Sequence, residues 1–518
     1  MKLAILSGSA VALAGVVAAS SFGGEKSVIG RAVTQRSGCG AYNDGDGDAT
    51  PFPMPLCNGV SIEDATIDEL QRWMTLGKLT SEQLVECYLA RIEQTNPYLH
   101  SISETNPAAL SIAATLDKER CTSGARGPLH GIPFVVKDNV YTDDAHNTSE
   151  GGLVLLGGRY AREATLVAKM RAAGGVLLGH ASLSEAADHR ALTNFSDGGT
   201  SGSSGGSAVA VRSNQAAAAV GTETPRVAGP SRVASGAVVK QDALKGMRLG
   251  MPWNPYWSTN PAVNAPDQRV KYEKLLDQLR AAGAELYNLA SIPGIASIAN
   301  PYGFGQPSTT PESHNQLNVY TALLAVEYGE WLPDWTFPAG DSRATNNSPL
   351  TSLADMAAWN DAHNATTGSL GNSTWWYNTQ TGQDFYDMAV ATNEGLDDAF
   401  WTTHGVVVEL DALLVPNDDV GGGSQACASI PSYAGYPVAA VPVGQTVYGV
   451  PFGLCVWGRE WSEAGLVRVA SAMEDLFRWE DVPRWHNYET AEGIWEATWP
   501  GYACSTDSLD SYACEPEV

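Results

Sequence analysis

At 518 residues the chain is long enough for one large domain or two to three ordinary ones. Its 44% hydrophobic content lets it bury a core and excludes general disorder. The 57 acidic against 31 basic residues leave a net charge of −26, which argues against nucleic acid and anionic membrane as partners, because phosphate binding rests on Lys and Arg.

Residues 1–21 read as a secretory signal peptide: Lys2 supplies the charged start, residues 4–19 are apolar, and Ala18, Ala19, Ser20 and Ser21 suit a peptidase site. The apolar run is short and rich in Ala and Gly, so a membrane span is not expected, and the mature chain is expected to be secreted. Asn-x-Ser/Thr sequons begin at Asn147, Asn194, Asn346, Asn364 and Asn372, which fits a glycoprotein. Eight cysteines fit disulfides in that compartment, with Cys504–Cys514 the first expected pair and Cys39–Cys57 a second. No Cys-x-x-Cys or His-x-x-x-His pair is present, and no metal site is expected.

Residues 22–60 read as an extended leader. Its Asp44, Asp46 and Asp48 alternate with Gly, but no glutamate closes a calcium loop at the required spacing. Ordered structure begins at Ser61. A helix is expected over residues 64–76, and Thr80-Ser81-Glu82-Gln83 is a capping box for the next. In that second helix Leu84, Val85, Tyr88, Leu89 and Ile92 share one face, and Asn96-Pro97 is expected to stop it. A third helix covers residues 108–119. Residues 131–138, Gly-Ile-Pro-Phe-Val-Val-Lys-Asp, read as a short buried strand ending in a charge. A helix over 164–173 and a strand over 176–178 follow, and this alternation points to an α/β architecture.

The Gly/Ser run from Gly199 to Ser207 is either a flexible linker or a loop that brings backbone N–H groups and a serine close to a ligand. Its ordered, apolar flanks favour the second reading, and residues 211–220 read as a buried helix behind it. A strand over 244–252 and an amphipathic helix over 265–282 come next. Residues from about 300 to 375 read as a Trp-rich insertion or lid, with helices at 317–328 and 353–363. Its Trp331, Trp335 and Trp359, with Trp375 and Trp376 close behind, either pack or line a cleft. Strands at 412–416, 438–443 and 451–454, and a closing helix over 466–478, complete a domain spanning residues 61–495. A Cys-containing tail, 496–518, ends the chain.

Two residues carry candidate chemistry. Lys137 follows four apolar residues. Either it snorkels at a strand end or its amine points inward, where desolvation leaves a neutral base. Ser203 offers a hydroxyl within reach of such a base. Residues 202–206 also match Gly-x-Ser-x-Gly around Ser204, but no strand precedes them as a nucleophile elbow needs. The nine histidines sit in no recognisable triad context.

Lys137 and Ser203 with their flanks resemble the amidase signature family of serine hydrolases. The matching pieces run in order through residues 64–96, Gly127-Pro128-Leu129-His130-Gly131-Ile132-Pro133, Lys137-Asp138-Asn139, Gly202-Ser203-Ser204-Gly205-Gly206-Ser207, Gly221-Thr222-Glu223-Thr224, residues 244–252, Ala434-Gly435-Tyr436-Pro437, residues 451–454 and Gly458-Arg459. The resemblance covers most of residues 61–480 and implies an α/β fold with a mixed β-sheet core flanked by helices. It further implies cleavage of a carboxamide C–N bond through an acyl-enzyme, with a small-molecule amide as substrate and no cofactor. In the implied Ser-Ser-Lys triad Lys137 is the base and Ser203 the serine that passes a proton between it and the nucleophile.

That nucleophile belongs in a Gly-Thr-(Asp/Glu)-Thr-x-Gly-Ser motif whose backbone N–H groups form the oxyanion hole. This chain departs there: Pro225-Arg226-Val227 follow Thr224, and Val227 stands at the nucleophile's spacing. The simplest reading is a deletion of a few dozen residues directly after Thr224. Ser231 is the nearby hydroxyl considered as a substitute, although it matches a non-catalytic segment better. The alternative reading is therefore a non-catalytic amidase-fold binding protein or the product of a truncated gene model. An amidotransferase subunit acting on charged tRNA fits poorly with the signal peptide and the charge of −26.

Overall fold

The computed structural model describes residues 52–160, 162–183, 204–222, 241–254, 256–257, 266–291, 332–338, 341, 350, 352–362, 401–403, 407–417, 431, 436–445, 451–477, 502–504 and 514–516. The signal peptide, most of the leader, Ser203, Val227 and Ser231 lie outside them, as do Trp331, Trp375 and Trp376, the 317–328 helix and the sequons other than Asn147. Two compact units divide the chain, Met1–Val28 with Met54–Trp479, and Ile29–Pro53 with Glu480–Val518.

Helix α1 (Ile67–Thr75) opens the large unit on a capping box between Thr66 and Glu69. Helix α2 (Ser81–Leu99) opens on the expected box, Thr80 with Gln83, and buries Leu84, Val85, Tyr88 and Ile92. Asn96-Pro97 does not stop it. Pro97 sits inside the last turn, and the helix ends two residues later, before His100 at φ 52°. There Asn96 exchanges hydrogen bonds with the backbone of Ile102 and turns the chain into β1 (Ile102–Thr105).

After α3 (Ala109–Ser123) comes β2 (Pro133–Lys137), in which every residue is buried. Phe134, Val135 and Val136 are each at most 1% exposed. Burials of this kind contribute roughly 1.5–3 kcal/mol apiece, enough to hold the following lysine below the surface. A two-residue strand β3 (Arg159–Tyr160), helix α4 (Thr165–Ala172), strand β4 (Val176–Ala181), helix α5 (Gly205–Arg212) and strand β5 (Ala218–Val220) complete this half. Four strands form a mixed sheet in the order β1-β4-β2-β5, with β2 parallel to both neighbours and β1 antiparallel to β4. One face of it packs under α1–α3 through Val135, Val176 and Leu178. The other buries Phe134, Val136 and Leu177 with Val167 of α4.

Residues 211–220 are not one helix. Helix α5 starts inside the Gly/Ser run, and Ser213-Asn214 end it, Asn214 at φ 59°. The chain then enters β5. Asn214 accepts a hydrogen bond from the Asp64 backbone, and the buried Arg91 donates to the carbonyl of Ser213, so α2 fixes this turn. An Ala- and Val-rich stretch gives little periodicity, and its polar break at residues 212–214 was the signal.

The second half of the large unit builds its own mixed sheet. Strand β6 (Arg248–Asn254), helix α6 (Pro266–Ala281) and β7 (Glu285–Ser291) form a parallel unit. Short pieces follow: β8 (Trp335–Thr336), α7 (Leu353–Ala362) and the pair β9 (Trp401–Thr403) and β10 (Val407–Glu409). Strands β11 (Ala412–Asn417), β12 (Val438–Gln445) and β13 (Pro451–Trp457) complete the sheet order β12-β13-β11-β6-β7, and α8 (Glu463–Phe477) closes over it. Tyr272 and Trp257 bury their rings here and give their polar hydrogens to the carbonyls of Gly453 and Leu414. Mixed sheets with helical cover match the expected fold class.

In the central insertion β8 pairs with β3, and Trp335 is 7% exposed among Val154, Leu155, Leu332 and Met356. Trp335 thus packs a small core and does not line an open cleft. Cys57 is bonded to Cys87, with Cα atoms 5.8 Å apart, which overturns the Cys39–Cys57 expectation. The bond staples the segment before α1 to α2. Cys455 is also disulfide-bonded. In the small unit β14 (Tyr502–Cys504) and β15 (Cys514–Pro516) pair antiparallel, with Cys504 directly opposite Cys514. Among the described residues no helix is long and apolar enough to cross a membrane.

Candidate active site

Lys137 ends the central parallel strand, 1% exposed. Ligands of α/β sheets characteristically bind beyond the carboxyl ends of such strands. The neighbouring strand β5 continues into Gly221-Thr222, and Lys137 Nζ lies 2.7 Å from Thr222 Oγ1. Asn139 Nδ2 donates to the same oxygen at 3.1 Å. Two side chains from the end of β2 therefore converge on one hydroxyl at the end of β5. Lysine here is the buried form of the two possibilities the sequence left open.

The Gly/Ser loop reaches this point through Ser204. As the residue before α5 it makes no side-chain cap. Its Oγ instead donates to the Thr222 carbonyl at 3.0 Å and accepts from the Thr222 N–H at 3.2 Å. One turn on, Ser207 Oγ donates to the Val220 carbonyl at 3.0 Å. The start of α5 is thereby sewn to the end of β5. Gly206 is required for the approach: a Cβ on it would meet the carbonyl of Ser101 and both backbone N and O of Ser182 at separations no side chain tolerates. Ser203, the next residue upstream of Ser204, lies outside the described residues.

Behind the lysine, Asp138 is 2% exposed and anchors a loop. Its carboxylate accepts from Ser149 Oγ at 2.6 Å and from the backbone N–H groups of Ser149 and Gly151. Asp138 Oδ1 also lies 3.0 Å from Nδ1 of His180, which sits on β4. His180 Nδ1 further contacts the Asn147 carbonyl, so the proton is assigned to Nδ1 and Nε2 accepts from Thr142 Oγ1 at 3.3 Å. Residues 142–151 are held against the strand ends by this set. Asn147 itself gives its side-chain and backbone N–H groups to Glu104 at 2.9 Å each, and its Oδ1 accepts from Gly157, so the one described sequon is occupied by protein contacts.

His146, 1% exposed, stacks obliquely on His180 with ring centroids 4.5 Å apart. Neither of its ring nitrogens has a hydrogen-bond partner. Burial, then the neighbouring His180, Arg171 and Arg159, lower its pKa to about 3. Asp144 lies 3.8 Å away but does not offset this, because its carboxylate is held by Arg171.

The sequence pointed to Lys137 and Ser203. Thr222 and Asn139 stood in the quoted motifs without a role, Ser204 was weighed only as the centre of a Gly-x-Ser-x-Gly match, and His180 carried no motif at all. Among the described residues no group of three or more His, Cys, Asp or Glu side chains is placed to hold a metal ion.

Comparison with known proteins gives one answer. The family model for amidase matches residues 83–225, ending where the sequence departs from the expected nucleophile motif. An amidase-family protein of Schizosaccharomyces pombe is 29% identical over 84% of this chain and 89% of its own length. One from Arabidopsis thaliana is 30% identical over 81% of this chain and 91% of its own. Among solved structures, the peptide amidase of Stenotrophomonas maltophilia superposes with a TM-score of 0.62 at 27% identity, covering 82% of this chain and 99% of that one.

Proposed function

The chain belongs to the amidase signature family, and we propose that it is a secreted hydrolase that cleaves carboxamide C–N bonds by transferring the acyl group to a hydroxyl, with Lys137 as the base. The observation that carries this reading is the buried amine of Lys137, 2.7 Å from a hydroxyl at the carboxyl ends of parallel strands. An amine within hydrogen-bond reach of a hydroxyl is the geometry of a general base and the group it deprotonates. Asn139 places a second donor on the same oxygen, where negative charge develops as the proton leaves. Ser203 is the residue that the family resemblance places beside Lys137 and the attacking group. Its neighbour Ser204 is already bonded to Thr222, which supports that placement. Likeness to a peptide amidase supports linear carboxamides as the substrate class. The Cys57–Cys87 disulfide supports maturation in an oxidising compartment.

A second reading, a non-catalytic binding protein of the same fold, is favoured by Val227, which stands where a nucleophilic serine is expected. In the alignment to the S. pombe relative, 84% of the 518-residue chain is spread over 547 positions, so the relative holds residues with no counterpart here. The two readings separate on amine release from a panel of small carboxamides. Hydrolysis by the purified chain that falls on the order of 10²–10⁴-fold in Lys137→Met supports the hydrolase. No hydrolysis, or a rate indifferent to Lys137, sinks it.

A further inference from the structure

We propose that Thr222 is the nucleophile of this chain. The proposal rests on the hydrolase reading above and supplies the group that Val227 cannot.

Four observations converge on this hydroxyl. Its Oγ1 lies 2.7 Å from Lys137 Nζ, the separation expected of a nucleophile and its general base. Asn139 Nδ2, 3.1 Å away, is placed to stabilise the oxygen as it loses its proton. The backbone of Thr222 is clamped at both N–H and C=O by Ser204, so its side chain is presented from a fixed point. Thr222 is also half-buried, and so reachable, whereas Lys137 is closed off from solvent. Asn139 Oδ1, on the side chain that bonds Thr222, and Ser182 Oγ are buried without a hydrogen bond. Ser182 follows Ala181, the strand partner of Lys137. A substrate amide carries the donors and acceptor that these atoms lack.

The reaction balances with these groups and water. Thr222 Oγ1 bonds to the amide carbonyl carbon while its proton passes to Lys137 Nζ and the C=O π pair moves to oxygen. Collapse of that adduct breaks the C–N bond, and the Lys137 ammonium returns its proton to the departing amine. The products so far are a free amine and an acyl ester on Thr222. Water then attacks the ester carbon and gives its proton to Nζ. That proton ends on Thr222 Oγ1 as the C–O bond breaks and the carboxylic acid leaves.

The test uses the full-length chain and an alkyl fluorophosphonate, which loses fluoride to an activated hydroxyl and leaves a stable phosphonyl adduct. Peptide mapping by mass spectrometry is expected to place the adduct on Thr222. Labelling is expected to persist in Thr222→Ser and to fall at least 100-fold in Thr222→Val and in Lys137→Met. An adduct on Ser203, Ser204 or Ser231 that is lost with Lys137→Met overturns Thr222 as nucleophile and leaves the hydrolase reading standing. Absence of any adduct together with absence of amide hydrolysis overturns both. Mapping on the unsubstituted chain decides the matter even if Thr222→Val does not fold.

Discussion

His146 makes the fold sensitive to acid between about pH 6.5 and pH 3. Its two ring nitrogens have no partners, and its pKa falls from 6.5 to about 3 in the folded chain. Folded protein therefore keeps the ring neutral while the unfolded chain takes up a proton as pH drops below 6.5. Stability is unaffected above neutral pH and is lost as pH falls from about 6.5 toward 3. At pH 5 the loss from this one group is about 2 kcal/mol, and it approaches about 5 kcal/mol near pH 3. His146→Phe removes the titration while keeping an aromatic ring against His180, and it deletes no hydrogen bond. Urea unfolding at pH 7 and pH 5 provides the measurement. The unsubstituted chain should lose about 2 kcal/mol more than the Phe variant between the two values. Parallel losses in the two proteins would refute the assignment.

Three further outcomes follow from contacts elsewhere. Gly206→Ala should destabilise the chain by roughly 3 kcal/mol in urea unfolding, because the new Cβ meets backbone of Ser101 and Ser182 that cannot move aside; a neutral result would show that α5 does not approach β4 as closely as described. Replacing Cys57 and Cys87 together by Ala opens a crosslink across a sequence separation of 30 residues and should lower stability by about 3–4 kcal/mol, read from the thermal unfolding midpoint. Secreted, folded protein should carry no glycan at Asn147, whose amide is held by Glu104, and glycosidase treatment in heavy-oxygen water should leave that site unlabelled. A label at Asn147 would mean that the Glu104 contacts do not form.

Much of the front half was legible because its signals are local. The Thr80–Gln83 box fixes the start of α2 within four residues, and an apolar run bounded by Gly131 and a charge leaves little but a buried strand. Lys137 was legible as a candidate for the same reason. Its partner was not. Thr222 lies 85 residues away, and the two meet only because β2 and β5 are adjacent and parallel, which no periodicity reveals. Ser204 matches the centre of a nucleophile elbow, yet its hydroxyl is bonded to the Thr222 backbone. The Asp138–His180 contact likewise depends on strand order. Pro97 misled for a different reason: a proline in a last turn removes one backbone donor, and here the helix runs on to Leu99, with Asn96 turning the chain beyond it.

Lys137 acts as the base at a hydroxyl that becomes acylated in the proposed reaction. Pre-steady-state hydrolysis of an acyl-p-nitroanilide tests this directly. A burst of nitroaniline approaching one equivalent per chain, abolished by Lys137→Met, is the predicted result. Steady release without a burst, at the same rate in Lys137→Met as in the unsubstituted chain, would contradict it.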